Sequence, residues 1–292
     1  MIQFLRLLGA DALPFRNMTF AGYGETLQRL ELTSEYIAIG VVEDGTPIGL
    51  GVARMPVAKP AEIISIFIKP ERWNQGLGSQ LMRIFETTAR ERTCSAIAVS
   101  YTTLGKCVPA VEKMLRKTDW PEAETRMLLA EISPDIGKKA EWIQRLRIPE
   151  SIDVFPWCEI TPTEREGLEG VKDTVTPALW PFTLEKFPLE PVNSLGLRQG
   201  GEVIGWMICH RISPNRIRYT SLYVREPWRT PELSFALLAE AVRRKQEAYP
   251  DTIIASLAVQ VENKPMLRVL ERKLKPYAVG WSEMRGSVKL LN

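Results

Sequence analysis

One order of elements occurs twice along this chain, and the repetition narrows the folds open to it. In the first half an apolar, β-branched run from Glu62 to Ile68 passes through a Pro-containing turn into residues 76–91. There Leu77, Leu81, Ile84, Phe85 and Thr88 keep the spacing of one helix face. In the second half Arg218 to Val224 leads through another Pro-containing turn into a helical stretch, Thr230 to Ala248. A hairpin precedes each pair: EYIAIGVVEDGTPIGLGVARM turns at Glu43-Asp44-Gly45-Thr46, and GLRQGGEVIGWMICHRI turns at Gly-Gly. A buried strand and a further helix follow each: CSAIAVSY with Val108–Lys117, then Ile253–Val261 with Asn263–Lys273. The strand ends Ile68 and Val224 lie about half a chain length apart, so tandem duplication of one α/β domain is expected.

The remaining segments complete that division. QFLRLL reads as an opening strand, residues 11–32 as helical with a Gly-containing break, and Arg126 to Ile132 as a closing strand. Residues 138–149, charged and ending in Pro149, read as a linker. The expectation is two α+β domains, 1–135 and 153–292, joined by residues 136–152, each a mixed, mostly antiparallel sheet flanked by helices.

Several functional classes fall away. Net charge is +3, from 38 basic and 35 acidic residues, which does not suit a nucleic-acid partner. No apolar run approaches the ~18 residues that would argue for a membrane span, and the opening MIQFLRLLGADALPF is too short and interrupted to read as a signal peptide. Cys94, Cys107, Cys158 and Cys209 form no C-x-x-C pair, so neither a metal site nor a disulfide framework is expected, and reduced, cytoplasmic thiols are. The single histidine, His210, sits in an apolar strand run, and no serine occupies a G-x-S-x-G elbow. Oligomeric state leaves no mark in the sequence.

The turn after Ile68 carries the chemistry. A helix N-terminus presents unpaired N–H groups and partial positive charge, and glycines let a phosphate approach them. Asn74-Gln-Gly-Leu-Gly-Ser79 offers consecutive N–H groups at a strand-to-helix turn, with proline absent. The spacing is neither G-x-G-x-x-G, since Leu81 stands at the third glycine, nor a P-loop, since no G-K-[ST] follows. On the glycines alone, a tight turn without a ligand remains open.

The longer segment AEIISIFIKPERWNQGLGSQLMRIFETTA resembles motif A of the GNAT acyltransferase superfamily: an apolar strand, a Pro-containing turn, then Q/R-x-x-G-x-G/A opening a helix. The resemblance extends from Met1 to about Ser133, through the order of strands and helices. It implies that Asn74, Gln75, Gly76, Leu77, Gly78 and Ser79 cradle the pyrophosphate of coenzyme A. It implies also that the strand carrying Ile66, Phe67 and Ile68 pairs with pantetheine. The family's first Gln or Arg falls on Trp73 here, a departure that a backbone cradle tolerates. The second copy, Val224-Arg-Glu-Pro-Trp-Arg-Thr-Pro-Glu-Leu-Ser234, has Glu232 and Ser234 at the glycine positions. Thr230, Pro231 and Glu232 make a good helix start but a poor phosphate site, because a proline lacks the N–H and a carboxylate repels the anion.

By the same resemblance Glu62 stands where a general base sits, against the reading of an acid that merely starts a strand beside Lys59. The family's proton-donating tyrosine falls on Leu115, and on about Leu270 in the second copy; Tyr101 is the nearest substitute, with Cys107 a candidate relay. The function implied is transfer of an acyl group, acetyl above all, from acyl-CoA to a small-molecule or peptide amine. The alternatives are a non-catalytic acyl-CoA sensor, or a scaffold using the aromatics Trp157, Trp180, Phe182, Trp206 and Trp228.

Overall fold

Both hairpin turns form as their residues dictate: Asp44, Gly45, Gly200 and Gly201 all take positive φ. The computed structural model describes residues 1–182, 187–249 and 251–291. The chain divides into two units, one made of Met1–Met127 with Ser282–Asn292 and the other of Leu128–Trp281. In chain order the elements are β1 (Ile2–Leu7), α1 (Gly24–Gln28), β2 (Tyr36–Glu43), β3 (Thr46–Arg54), β4 (Ala61–Ile68), α2 (Leu77–Glu91), β5 (Ala96–Thr102), α3 (Val108–Lys117) and β6 (Glu124–Ile132). There follow α4 (Ile136–Lys139), α5 (Glu141–Arg145), β7 (Asp153–Pro156), α6 (Pro162–Glu169), β8 (Leu195–Gln199), β9 (Glu202–Ser213) and β10 (Arg216–Val224). The last are α7 (Pro231–Ala248), β11 (Ile254–Gln260), α8 (Lys264–Val269) and β12 (Ala278–Leu290).

Within the first unit the strand order is β1-β2-β3-β4-β5-β12, and within the second it is β6-β11-β10-β9-β8-β7. The first unit's sheet therefore ends on a strand from the far end of the chain: β12 runs antiparallel to β5, from Met284 opposite Thr102 to Leu290 opposite Ala96. That strand was not among the sequence expectations, and it makes the first unit discontinuous.

The feature that positions a site is a parting of strands. β4 and β5 are parallel and pair only over Ala61–Ile63; β10 and β11 pair only over Arg216–Arg218. Just beyond, each strand skips a residue against its other neighbour, at Ile64 in β4 and at Thr220 in β10. A bulge bends a strand and increases its twist, which turns β4 away from β5. The bulges fall four residues before the strand ends Ile68 and Val224, so the repeat seen in sequence extends to backbone irregularities.

α2 packs Leu77, Leu81, Met82 and Phe85 against Ile63 and Ile97 of the first sheet. Gly51 lets Phe85 lie against the strand, since a Cβ there would stand 2.7 Å from the ring. A 3₁₀ segment, Gly9–Met18, covers the other face with Ala12 and Phe15, joined by Leu27 of α1. The helix expected over residues 11–32 is thus mostly 3₁₀, with Pro14 inside it. Residues 136–149 are not a loose linker: Ile136, Ala140 and Ile143 are buried in the second unit's core, and Arg243 donates to the carbonyls of Ile143 and Leu146. The helix expected to Lys273 leaves α geometry after Val269 and continues as a π turn, Leu270–Leu274. Trp157, Trp180 and Trp206 are core residues of the second unit, with Trp206 stacked on Tyr223 at 4.8 Å. Among the described residues, no helix is long and apolar enough to cross a membrane.

Candidate functional site

The turn from β4 into α2 is built on two left-handed residues, Asn74 at φ 62° and Gly76 at φ 83°. Gly76 is the N-cap of α2, and the helix has neither a side-chain cap nor an acid in its first turn. The first intrahelical donor there is Gln80, to Gly76 O at 3.0 Å, so the amides of Leu77, Gly78 and Ser79 project from the helix end. Gly78 allows close packing instead: a Cβ would lie 3.0 Å from Met114 Sδ of α3. Trp73 has a structural task, its indole Nε1 donating to Ile68 O at 2.7 Å and pinning the turn to the end of β4.

β4 presents an unpaired edge beside this turn. Lys69 N–H donates to Ile48 O of the preceding segment of chain. In an antiparallel ladder such pairs alternate, so Phe67 and Ser65 turn their amides toward β3 while Ile66 and Ile68 turn theirs to the open side. Phe67 offers an exposed side chain.

The two candidate proton-transfer groups are apart. Glu62 is exposed on the paired stretch of β4, opposite Arg54 and Ala98. Tyr101 is half-buried at the end of β5, and its enclosed hydroxyl has no hydrogen-bond partner. Burial raises its pKa, Glu112 raises it further, and Arg285 opposes. The phenol therefore stays protonated at neutral pH. Arg285 is the cross-strand partner of Tyr101 and is held by Glu283 at 2.9 Å and Glu112 at 3.1 Å. Glu283 in turn accepts from Thr125 Oγ1 at 2.7 Å. No sequence signal joined these residues, because Arg285 and Glu283 come from β12. Leu115 is buried in the core and has no proton to give; Cys107 is exposed at the N-cap of α3.

The second unit repeats the frame and changes the groups. Arg225 N–H donates to Ile204 O, as Lys69 does to Ile48, and Arg229 Nε donates to Val224 O at 2.8 Å, as Trp73 does to Ile68. At the helix start, however, Thr230 Oγ1 accepts from Leu233 N at 3.1 Å, Pro231 opens the helix and Glu232 lies in its first turn. The registers place Arg218 where the first unit has Glu62, and Val259 where it has Tyr101.

Residues 8–107 match the acetyltransferase (GNAT) family model. Among solved structures, the tandem GNAT protein from the clavulanic acid biosynthesis pathway is similar over 100% of this chain and 99% of its own, with TM-score 0.68 at 13% identity. A GCN5-related N-acetyltransferase from Sphaerobacter thermophilus is similar over 100% of this chain and 96% of its own, with TM-score 0.63 at 17% identity. At those identities the likeness is one of fold, and it extends through both units. No curated protein sequence matches the chain.

Proposed function

We propose that this chain, whose residues 8–107 match the acetyltransferase (GNAT) family model, is a cytoplasmic enzyme that moves an acetyl group from acetyl-CoA to an amine, binding coenzyme A in the first unit alone. The observation that carries this reading is the bare start of α2, with Gly76 left-handed and the first turn free of acid and cap, beside the open edge of β4. An extended anion with a peptide-like arm fits both features. Asn74, Gln75, Gly76, Leu77, Gly78 and Ser79 would hold the pyrophosphate, and Ile66 with its backbone groups and Ile68 with its N–H would face pantetheine, the Ile68 carbonyl being taken by Trp73, with the side chain of Phe67 alongside. Acetyl-CoA supplies the activated acyl group. Glu62 removes a proton from the amine, and Tyr101, kept protonated by burial and by Glu112, supplies one to the leaving group.

Calorimetric titration with coenzyme A tests the assignment, with one equivalent per chain expected. Two equivalents, or none, would overturn it. Leu115, buried at the family's tyrosine position, favours the sensor alternative; stoichiometric binding without turnover of any amine would select it.

A further inference from the structure

Three residues stand side by side across β2, β3 and β4: Tyr36 opposes Arg54, and Arg54 opposes Glu62. Directly opposed residues project from the same sheet face. Tyr23, just before α1, brings its ring to 6.2 Å from that of Tyr36, tilted by 59°. The charge of Arg54 is already matched, since Nε and Nη2 both donate to Glu35 Oε2 at 3.1 and 2.9 Å. Among the described residues Glu62 makes no ion pair, and its charge reaches Tyr23: burial raises that phenol's pKa first, then Tyr36 and Glu62, while Arg54 opposes. The result is two aromatic rings and an exposed carboxylate that Arg54, committed to Glu35, only partly offsets, two residues from the bulge where β4 leaves β5.

Aromatic faces and a carboxylate attract cations and repel anions. The second unit shows that the fold does not impose this character, because the matching row there is His210 opposite Arg218. The same place in the repeat carries Arg54 and Glu62 in one copy and His210 and Arg218 in the other, so only the first copy has a carboxylate there.

The geometry points to an acceptor subsite in which Tyr23, Tyr36 and Glu62 receive the amine as its ammonium ion, making cationic alkylamines the substrate class. This deepens the acyl-transfer reading and rests on it for the step that follows. One ammonium proton passes to Glu62 and thence to solvent. The freed nitrogen forms the C–N bond as the C–S bond breaks, the second proton ends on the sulfur by way of Tyr101, and the third stays on the amide.

The probe is propyltrimethylammonium, which presents the cation but cannot be acylated, against its neutral isostere 3,3-dimethylbutanol. The cation is expected to bind the protein directly, to perturb the ring-proton signals of Tyr23 and Tyr36, and to compete with the amine but not with acetyl-CoA. Tyr36→Leu and Tyr23→Leu should each weaken the probe and raise the acceptor KM about tenfold, with the coenzyme A dissociation constant unchanged. The phenylalanine variants, which keep the ring, should recover most of that loss. Equal binding of the neutral isostere, or leucine variants with wild-type acceptor KM and probe affinity, would overturn the subsite. Failure of coenzyme A to bind would instead overturn the acyl-transfer reading, and probe binding would still decide the subsite.

Discussion

Replacing Gly76 with alanine isolates what the turn before α2 requires. Gly76 sits at φ 83°, ψ 0°, and an added Cβ would meet nothing within 4 Å. The substitution therefore adds no clash, only the left-handed penalty of an L residue, about 1–2 kcal/mol. Thermal unfolding should fall by on the order of 5 °C in the transition that belongs to the first unit. Asparagine tolerates this conformation, so Gly76→Asn should recover much of the loss. Gly78→Ala is the control: its Cβ would press only on the flexible end of Met114, and alanine is favoured over glycine inside a helix by about 1 kcal/mol, so stability should hardly change. If Gly76→Ala relaxes by turning the amides of Leu77 and Gly78 aside, each charged hydrogen bond lost removes about 1.5–3 kcal/mol of binding. Coenzyme A affinity, read by titration, should then drop at least about tenfold. A Gly76→Ala protein that melts with wild type, or an asparagine variant no better than alanine, would refute the argument from backbone conformation. Lower stability with unchanged affinity would remove these amides from phosphate binding.

Thr230→Ala should cost the second unit about 1 kcal/mol through loss of the α7 cap, while coenzyme A stoichiometry and affinity stay as they were. Glu164 is held to a pKa of about 2, first by Arg198, which bonds it at 2.5 Å. Because its folded pKa lies below its ordinary value, this stabilisation is present above about pH 4.5 and lost as pH falls toward 2; Glu164→Gln should flatten that acid limb in urea unfolding. Lys245 is buried, donates to Pro134 O at 2.8 Å, and is lowered by burial to a pKa of about 8. The unfolded chain binds the extra proton between pH 8 and about 10.5, so stability should rise with pH across that window, and Lys245→Met should abolish the rise. Tyr101→Phe should lower kcat and erase the alkaline limb of the kcat/KM profile, whereas Arg285→Gln, by removing the cation that opposes the raised phenol pKa, should move that limb to higher pH.

The repeat, the hairpins and α2 were legible because each rests on neighbours close in sequence. An Asp-Gly pair sets a turn, the spacing of Leu77, Leu81 and Phe85 sets a helix face, and glycine sets the left-handed, uncapped start of α2. The closing strand of the first unit was not legible, because its pairing is settled far away: Glu283 bonds Thr103 across 180 residues. Nothing local in SEMRGSVKLL names β5 as its partner, so Arg285 and Glu283 could not be placed beside Tyr101. Residues 138–149 misled in another way. Their lysines and arginines face outward and dominate the composition, while Ala140 and Ile143 are buried by tertiary packing that composition does not register. The row Tyr36–Arg54–Glu62 needs strand register, which the hairpin suggested but the bulge at Ile64 shifts by one residue.

Trp73 shows why the two halves must be compared by task. Read against a motif it is a departure; in the structure it does what Arg229 does, closing the strand end with a side-chain N–H. The positions at which the halves agree are those the backbone requires: this staple, the bulges at Ile64 and Thr220, and Gly49 and Gly205, where a Cβ would stand 2.9 Å from a carbonyl oxygen of the next strand. The positions at which they differ include those to which the proposed chemistry is assigned. Gly76 becomes Glu232, Glu62 becomes Arg218 and Tyr101 becomes Val259. These changes are independent of one another, for removing the carboxylate of Glu232 would still leave Pro231 without an N–H and the Arg218 row without a carboxylate. The second unit thus retains the backbone frame to the level of single hydrogen bonds and differs in three separate places, which is why the proposal of one coenzyme A per chain can be tested by stoichiometry alone.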